Sequence, residues 1–171
     1  SPKLINEDGY TTQTHGSSWS KKIWQAAEPV TVKFISGAAF LIRMKTYQNI
    51  GGLDEKFFFY NEDLDWCRRI IQNGWKIYYY PNSSIIHYGG KSSKLIKRKT
   101  LVEGIKGGIY FCYKHYKLLL PFYTILLIIY SLIEIVIGLL KLLFFSKKKN
   151  SLEQIAAFIE VLYIVLLVKY K

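Results

Sequence analysis

Acidic residues are scarce in this chain: 12 Asp and Glu stand against 24 Lys and Arg, a net charge of +12 over 171 residues. That deficit favours an anionic partner, namely nucleic acid, an acidic membrane surface or a phosphorylated substrate. Cysteine is scarcer still. Cys67 and Cys112 lack metal-type spacing, and two thiols suit a reducing compartment. The opening SPKLINEDGY has neither a basic nor an apolar region, so it does not read as a signal peptide. A start at Ser1 without methionine leads us to expect a fragment or a processed piece. There is no internal repeat and no low-complexity linker. The length allows one respectable core, or one soluble unit plus an appendage.

Where the charge sits separates the candidate partners. Between Lys91 and Lys117 there are eight Lys or Arg residues and one acid, Glu103, and a strongly apolar stretch follows at once. Basic residues abutting apolar helices mark a membrane surface. No nucleic acid is expected as a partner. Three regions result: residues 1–93 as a globular part, 94–117 as a basic connecting helix broken or frayed near Gly107 and Gly108, and 118–171 as a membrane-associated helical hairpin.

The run from Leu118 to Phe145 is long enough to cross a bilayer, which takes about 20 residues. Its polar or small positions, Thr124, Ser131, Glu134, Gly138 and Lys141, make one narrow stripe. A second run from Leu152 to Val168 carries Glu153, Ala156, Ala157, Glu160 and Tyr163 along one side. The stripes of an antiparallel hairpin would face each other or the globular part. Spanning and lying in the interface both fit the flanking lysines.

Within the first region, Val30 to Met44 reads as a strand or two. A helix follows from Asn61 as N-cap, with Glu62 and Asp63 in the first turn and Gly74 as the stop. Leu64, Cys67 and Ile71 form its expected inner face. Lys76 to Tyr80 reads as a strand ended by Pro81, and Ser84 to His87 as another.

The chemistry concentrates between Gly51 and Ser93, where five acidic residues and one histidine lie among aromatic runs. An acid at a helix start, as at Asp63, suits a general base for a hydroxyl group. Such acids also decorate helix starts routinely. Asp54 and Glu55 serve equally well as turn residues, and Asp65 as a partner for Arg69 four positions on. A lone histidine such as His87 is usually structural, unless a cation or phosphate lies beside it.

Taken together, these pieces resemble the C-terminal half of the catalytic domain of a family 2 glycosyltransferase of the rhamnosyltransferase-like kind. The resemblance begins at SPKLINEDG and runs through SGAAFLIRMKTYQNIGGLDEKFFFYNEDLDWCRRIIQNGWKIYYYP to IIHYGGKS. It implies a fold class of α/β: the C-terminal part of a GT-A, Rossmann-like domain, here followed by the basic helix and apolar hairpin. It implies inverting transfer from a nucleotide-sugar donor to a glycan or polyprenyl-linked acceptor, with Glu62-Asp63 as the catalytic motif and Asp63 as the base. Gly37 and Ala38 would line the acceptor or sugar pocket, Tyr60 and Trp66 would stack on sugars, and Arg69 would join the substrate-binding set. His87 would complete a site for a divalent metal, Mg or Mn, shared with an upstream Asp-x-Asp motif. The expected location is the cytoplasmic face of the cell membrane.

One departure qualifies the match. The family places its nucleotide-binding strands and Asp-x-Asp motif before the segment seen here, and no such motif precedes Gly51. The donor-binding half is therefore expected to be absent, and this piece alone inactive. A non-catalytic truncated paralogue, serving as a membrane-bound scaffold or assembly subunit, is the alternative.

Overall fold

A computed structural model of the chain describes residues 3–5, 25–86, 97–144 and 148–167. Two compact units divide it: Ser1–Glu55 with Glu62–Lys91, and Lys56–Asn61 with Ser92–Lys171.

The first unit is α/β. Strand β1 (Lys3–Ile5) pairs in parallel with a late strand, Ser84–Ile86, so that Leu4 stands opposite Ile85. Strand β2 (Val30–Val32) runs antiparallel to β3 (Ile77–Tyr79), with Thr31 opposite Tyr78. The period of two along a strand sets burial here. Val32, Ile77 and Tyr79 point into a core with Trp66, Cys67 and Ile70, whereas Tyr78 is 48% exposed.

The strand expected over Val30 to Met44 stops at Val32, and Met44 instead opens helix α1 (Met44–Ile50). Register explains the stop. Continuing the ladder would place Phe34 opposite Trp75, but the Trp75 N–H is already bonded to the Ile70 carbonyl at 3.1 Å. Gly51, at φ 75°, ends α1 by donating to the Tyr47 carbonyl at 2.8 Å.

Helix α2 (Glu62–Gln72) lies where it was expected. Its C-terminus is a Schellman motif: Gly74 N–H bonds the Ile71 carbonyl and Trp75 N–H the Ile70 carbonyl, with Gly74 at φ 78°. The inner face differs from expectation. Trp66, Cys67 and Ile70 are buried, but Ile71 is 40% exposed. Asp65 is also inside, at 0% exposure, because Arg69 one turn later neutralises it; this rotates the buried face away from Ile71. The strand expected over Ser84 to His87 is β4 (Ser84–Ile86); His87 lies outside the described residues.

The second unit is helical: α3 (Lys97–His115), a short 3-10 turn at Lys117–Leu119, α4 (Leu120–Phe144) and α5 (Lys148–Leu167). Its core joins Val102 and Ile109 of α3, Leu127 of α4, and Ala157, Val161 and Ile164 of α5. The break expected near Gly107 and Gly108 does not occur, since α3 runs through both. These glycines are close-approach points instead. A Cβ on Gly107 would lie 2.9 Å from Asn61 Nδ2, and one on Gly108 would lie 2.7 Å from the Tyr123 hydroxyl.

The polar stripe of α4 faces α5. Gln154 Nε2 donates to the Glu134 carboxylate, Lys141 Nζ lies 3.3 Å from Gln154 Oε1, and Gly138 packs on Ile155. The stripe expected on α5 divides. Ala157 is buried, Glu160 pairs with Arg98 of α3, and Tyr163 is 63% exposed. Lys117–Phe144 and Lys149–Leu167 are each long and apolar enough to cross a membrane. On α4, Phe122, Leu126, Ile129, Ile133, Val136 and Phe144 are all at least half exposed. An apolar surface of that extent is the mark of a partner or a membrane.

Candidate active site

The site grows from the N-terminus of α2. Asp63, in its first turn, has its Oδ2 bonded by the Gly37 N–H at 2.9 Å and its Oδ1 by the Leu64 N–H at 2.8 Å. One backbone donor on each oxygen fixes the carboxylate plane and leaves further lone-pair directions open. Gly37 is in place because the chain turns at Ser36 to Ala39, where the Ser36 hydroxyl accepts from the Ala38 N–H at 3.3 Å. A Cβ at Gly37 would stand 3.4 Å from the Asp63 Cβ, so the loop passes the carboxylate at close range. Gly37 and Asp63, 26 positions apart in sequence, are thus brought together, with Ala38 adjoining.

Glu62 differs from its neighbour. Its Oε2 is buried and has no hydrogen-bond partner among the described residues. A buried carboxylate oxygen without a donor is costly.

Trp66 and Arg69 hold the fold rather than facing solvent. Trp66 is 7% exposed, too little ring for a sugar to stack on, and its Nε1 donates to the Gly51 carbonyl at 2.9 Å. The Arg69 guanidinium bonds Asp65 at 2.8 Å and the Ile50 and Gly52 carbonyls at 2.7 Å each. Three successive carbonyls of the Gly51-Gly52 turn are therefore held by two side chains of α2. Trp66 was expected to stack on a sugar and Arg69 to join the substrate-binding set or pair with Asp65; among the described residues the Asp65 pair forms and both side chains hold this turn.

Tyr60 belongs to the helical unit and is 50% exposed. Tyr60 and Asn61 both adopt left-handed backbone, at φ 64° and 69°, immediately before Glu62 and Asp63. For a tyrosine this costs on the order of 1–3 kcal/mol and persists only where the surroundings impose it. Here Asn61 Nδ2 donates to the Gly104 carbonyl at 3.0 Å, and Tyr60 packs edge-on against Phe59 at 4.5 Å. The Asn61 amide thus reaches α3, and its left-handed backbone is not that of the N-cap expected at this position. The Gly104 and Gly107 spacing on α3, one turn apart, was the only trace of this in the sequence.

His87, the expected metal ligand, lies outside the described residues. Among the described residues no group of three His, Cys, Asp or Glu side chains comes together to hold a metal ion. Mg²⁺ or Mn²⁺ takes about six ligands, so these residues do not complete such a site by themselves.

The α/β unit thus carries the Asp63 carboxylate at a helix start, bonded to the Gly37 N–H. The family described as "Glycosyltransferase like family 2" matches residues 7–101, and the chain belongs to that family. Two curated relatives align with it. One is the N-acetylglucosaminyl-diphospho-decaprenol L-rhamnosyltransferase of Mycobacterium tuberculosis H37Rv, 31% identical over 86 residues, covering 46% of this chain and 28% of the relative. The other is the rhamnosyltransferase WbbL of Escherichia coli K12, 33% identical over 57 residues, covering 33% of this chain and 22% of the relative. The chain thus spans about a quarter of the length of these relatives. No solved structure matches it.

Proposed function

We propose that the chain forms the acceptor side of an inverting glycosyltransferase, with Asp63 as general base. The observation that carries this reading is the Asp63 carboxylate, oriented by two backbone donors beside the Gly37-Ala38 turn. In the proposed reaction Asp63 takes the proton of an acceptor hydroxyl. That oxygen bonds to the anomeric carbon as the bond from this carbon to the nucleotide diphosphate breaks on the opposite face. Positioned proton transfer of this kind contributes about 10²–10⁴-fold in rate.

A donor-binding part of the same domain would supply the nucleotide-sugar pocket and the metal-binding Asp-x-Asp motif, with His87 as a further ligand. The α/β unit supports that reading. Its described strands form two pairs only, and an open groove of about 790 Å³ runs along its core past Phe40, Ile42, Trp66, Trp75 and Ile77. The named activity of the mycobacterial relative suggests a diphospho-polyprenyl-linked acceptor, in polysaccharide or glycoconjugate synthesis. The apolar hairpin would keep the site at the membrane where that acceptor resides, on the cytoplasmic face.

The test is Asp63→Asn in the full-length protein. Transfer should fall about 10²–10⁴-fold while nucleotide-sugar binding stays intact. Retained turnover would refute the base assignment.

A further inference from the structure

We propose that the three-helix unit lies flat in the membrane interface, with α3 on the water side and α4 against the acyl chains, and does not cross the bilayer. This rests on the membrane reading above and adds its orientation.

The reason is that α3 travels alongside α5. Arg98 bonds Glu160 at 2.9 Å, and a cavity of about 240 Å³ joins Arg98 and Leu101 to Glu153, Gln154 and Ala157. Three turns further along α3, Gly107 and Tyr110 meet Ile164 near the end of α5. If the hairpin stood upright, α3 would stand with it. Arg98, Lys99, Glu103 and Lys106 would then be carried into the hydrocarbon. The Arg98–Glu160 pair would sit beyond the midpoint of α5 with 50% and 39% of its side chains exposed to lipid. Charges inside a bilayer face a bundle interior or a water-filled cavity, not acyl chains.

Two tyrosines point the same way. Tyr130 lies midway along α4 at 47% exposure, and Tyr163 lies within α5 at 63%. Exposed tyrosine belongs at the headgroup level, where its ring is buried and its hydroxyl wet. In a flat orientation every part of these helices is at that level. The exposed face of α4, about 37 Å long, presents side chains such as Phe122, Ile129, Ile133 and Phe144 to the acyl boundary.

The basic side chains of α3 then meet water and anionic headgroups. The Lys99 ammonium lies over the Phe58 ring, 4.9 Å from its centre, and the Lys114 ammonium over that of Phe57 at 5.7 Å, so these charges are held on aromatic faces of the same unit. Gln154 links Glu134 and Lys141 across the hairpin, and Lys141 is exposed, so its remaining donors meet water in a flat orientation.

Topology labelling tests this. Lys117→Cys, in the turn before α4, and Lys149→Cys, in the first turn of α5, are made singly in the full chain and flank α4. Right-side-out and inside-out membrane vesicles are treated with an impermeant maleimide. The unsubstituted chain, whose Cys67 and Cys112 are buried, sets the background. Both variants should label from the same face. Labelling from opposite faces would establish a span and overturn the orientation while leaving membrane association standing. Protection of Lys149→Cys on both faces until detergent is added would indicate a re-entrant hairpin and overturn it too. Absence of the chain from the membrane fraction would overturn the membrane reading, and the orientation with it.

Discussion

The α/β unit and the helical unit each contain an arginine–carboxylate pair, and the two pairs do different work. In the α/β unit Asp65 is completely buried, and Arg69 neutralises it while holding two carbonyls of the Gly51-Gly52 turn. In the helical unit Arg98 and Glu160 meet at a similar distance, but half the arginine and 39% of the glutamate are exposed. Breaking a buried pair strands a charge without solvent. Breaking an exposed one returns both groups to water. The same chemistry is therefore architectural in one unit and nearly dispensable in the other.

That contrast is open to experiment. Arg69→Ala should cost about 3–5 kcal/mol in chemical denaturation, because the buried Asp65 carboxylate loses its guanidinium partner. A cost under about 1 kcal/mol would show that Asp65 finds other partners and would erase the contrast. Gly138→Ala should come next. Its Cβ would stand 2.6 Å from Ile155 Cγ1, so the hairpin must shift, at about 1–3 kcal/mol of overpacking. The better helix propensity of alanine returns about 1 kcal/mol at most, so thermal unfolding of the helical unit should move downward. Arg98→Ala should be smaller still, about 0–1 kcal/mol, and smaller again at high salt.

The last effect is absent at neutral pH. Burial pushes the Cys67 thiol above its ordinary value, and burial does the same to the Tyr79 hydroxyl. Both groups keep their protons in the folded state at pH values where the unfolded chain has lost them. Stability is therefore complete below the ordinary thiol value of 9.0 and falls as pH rises beyond it. A Cys67→Ala variant should lose the part of that alkaline slope due to the thiol, as read from unfolding midpoints across the range.

Much of the local structure was legible in the residues. Gly74 at the end of an apolar run predicts a helix stop, because only glycine takes a left-handed backbone without strain. The alternation around Ile77 and Tyr79 predicts a strand with one buried face. Helix α1 was not legible. It is seven residues long with no side-chain cap, and its existence depends on β2 ending when its partner strand runs out. The Glu62-Asp63 pair could be located by its resemblance to a family motif, but the hold of Trp66 and Arg69 on the Gly51-Gly52 turn could not. Their positions beside the motif look the same whether they touch a sugar or a backbone carbonyl.

Composition, period and end signals established a basic, three-part chain with a helix at Glu62 and apolar helices at the end, since propensity and patterning act within a few residues. Tertiary structure decided what those residues do. Contacts between distant positions set Gly37 on the Asp63 carboxylate, brought the Arg69 guanidinium onto the Ile50 and Gly52 carbonyls, and laid α3 along α5. Such pairings depend on how buried surfaces close on one another, which no local pattern encodes.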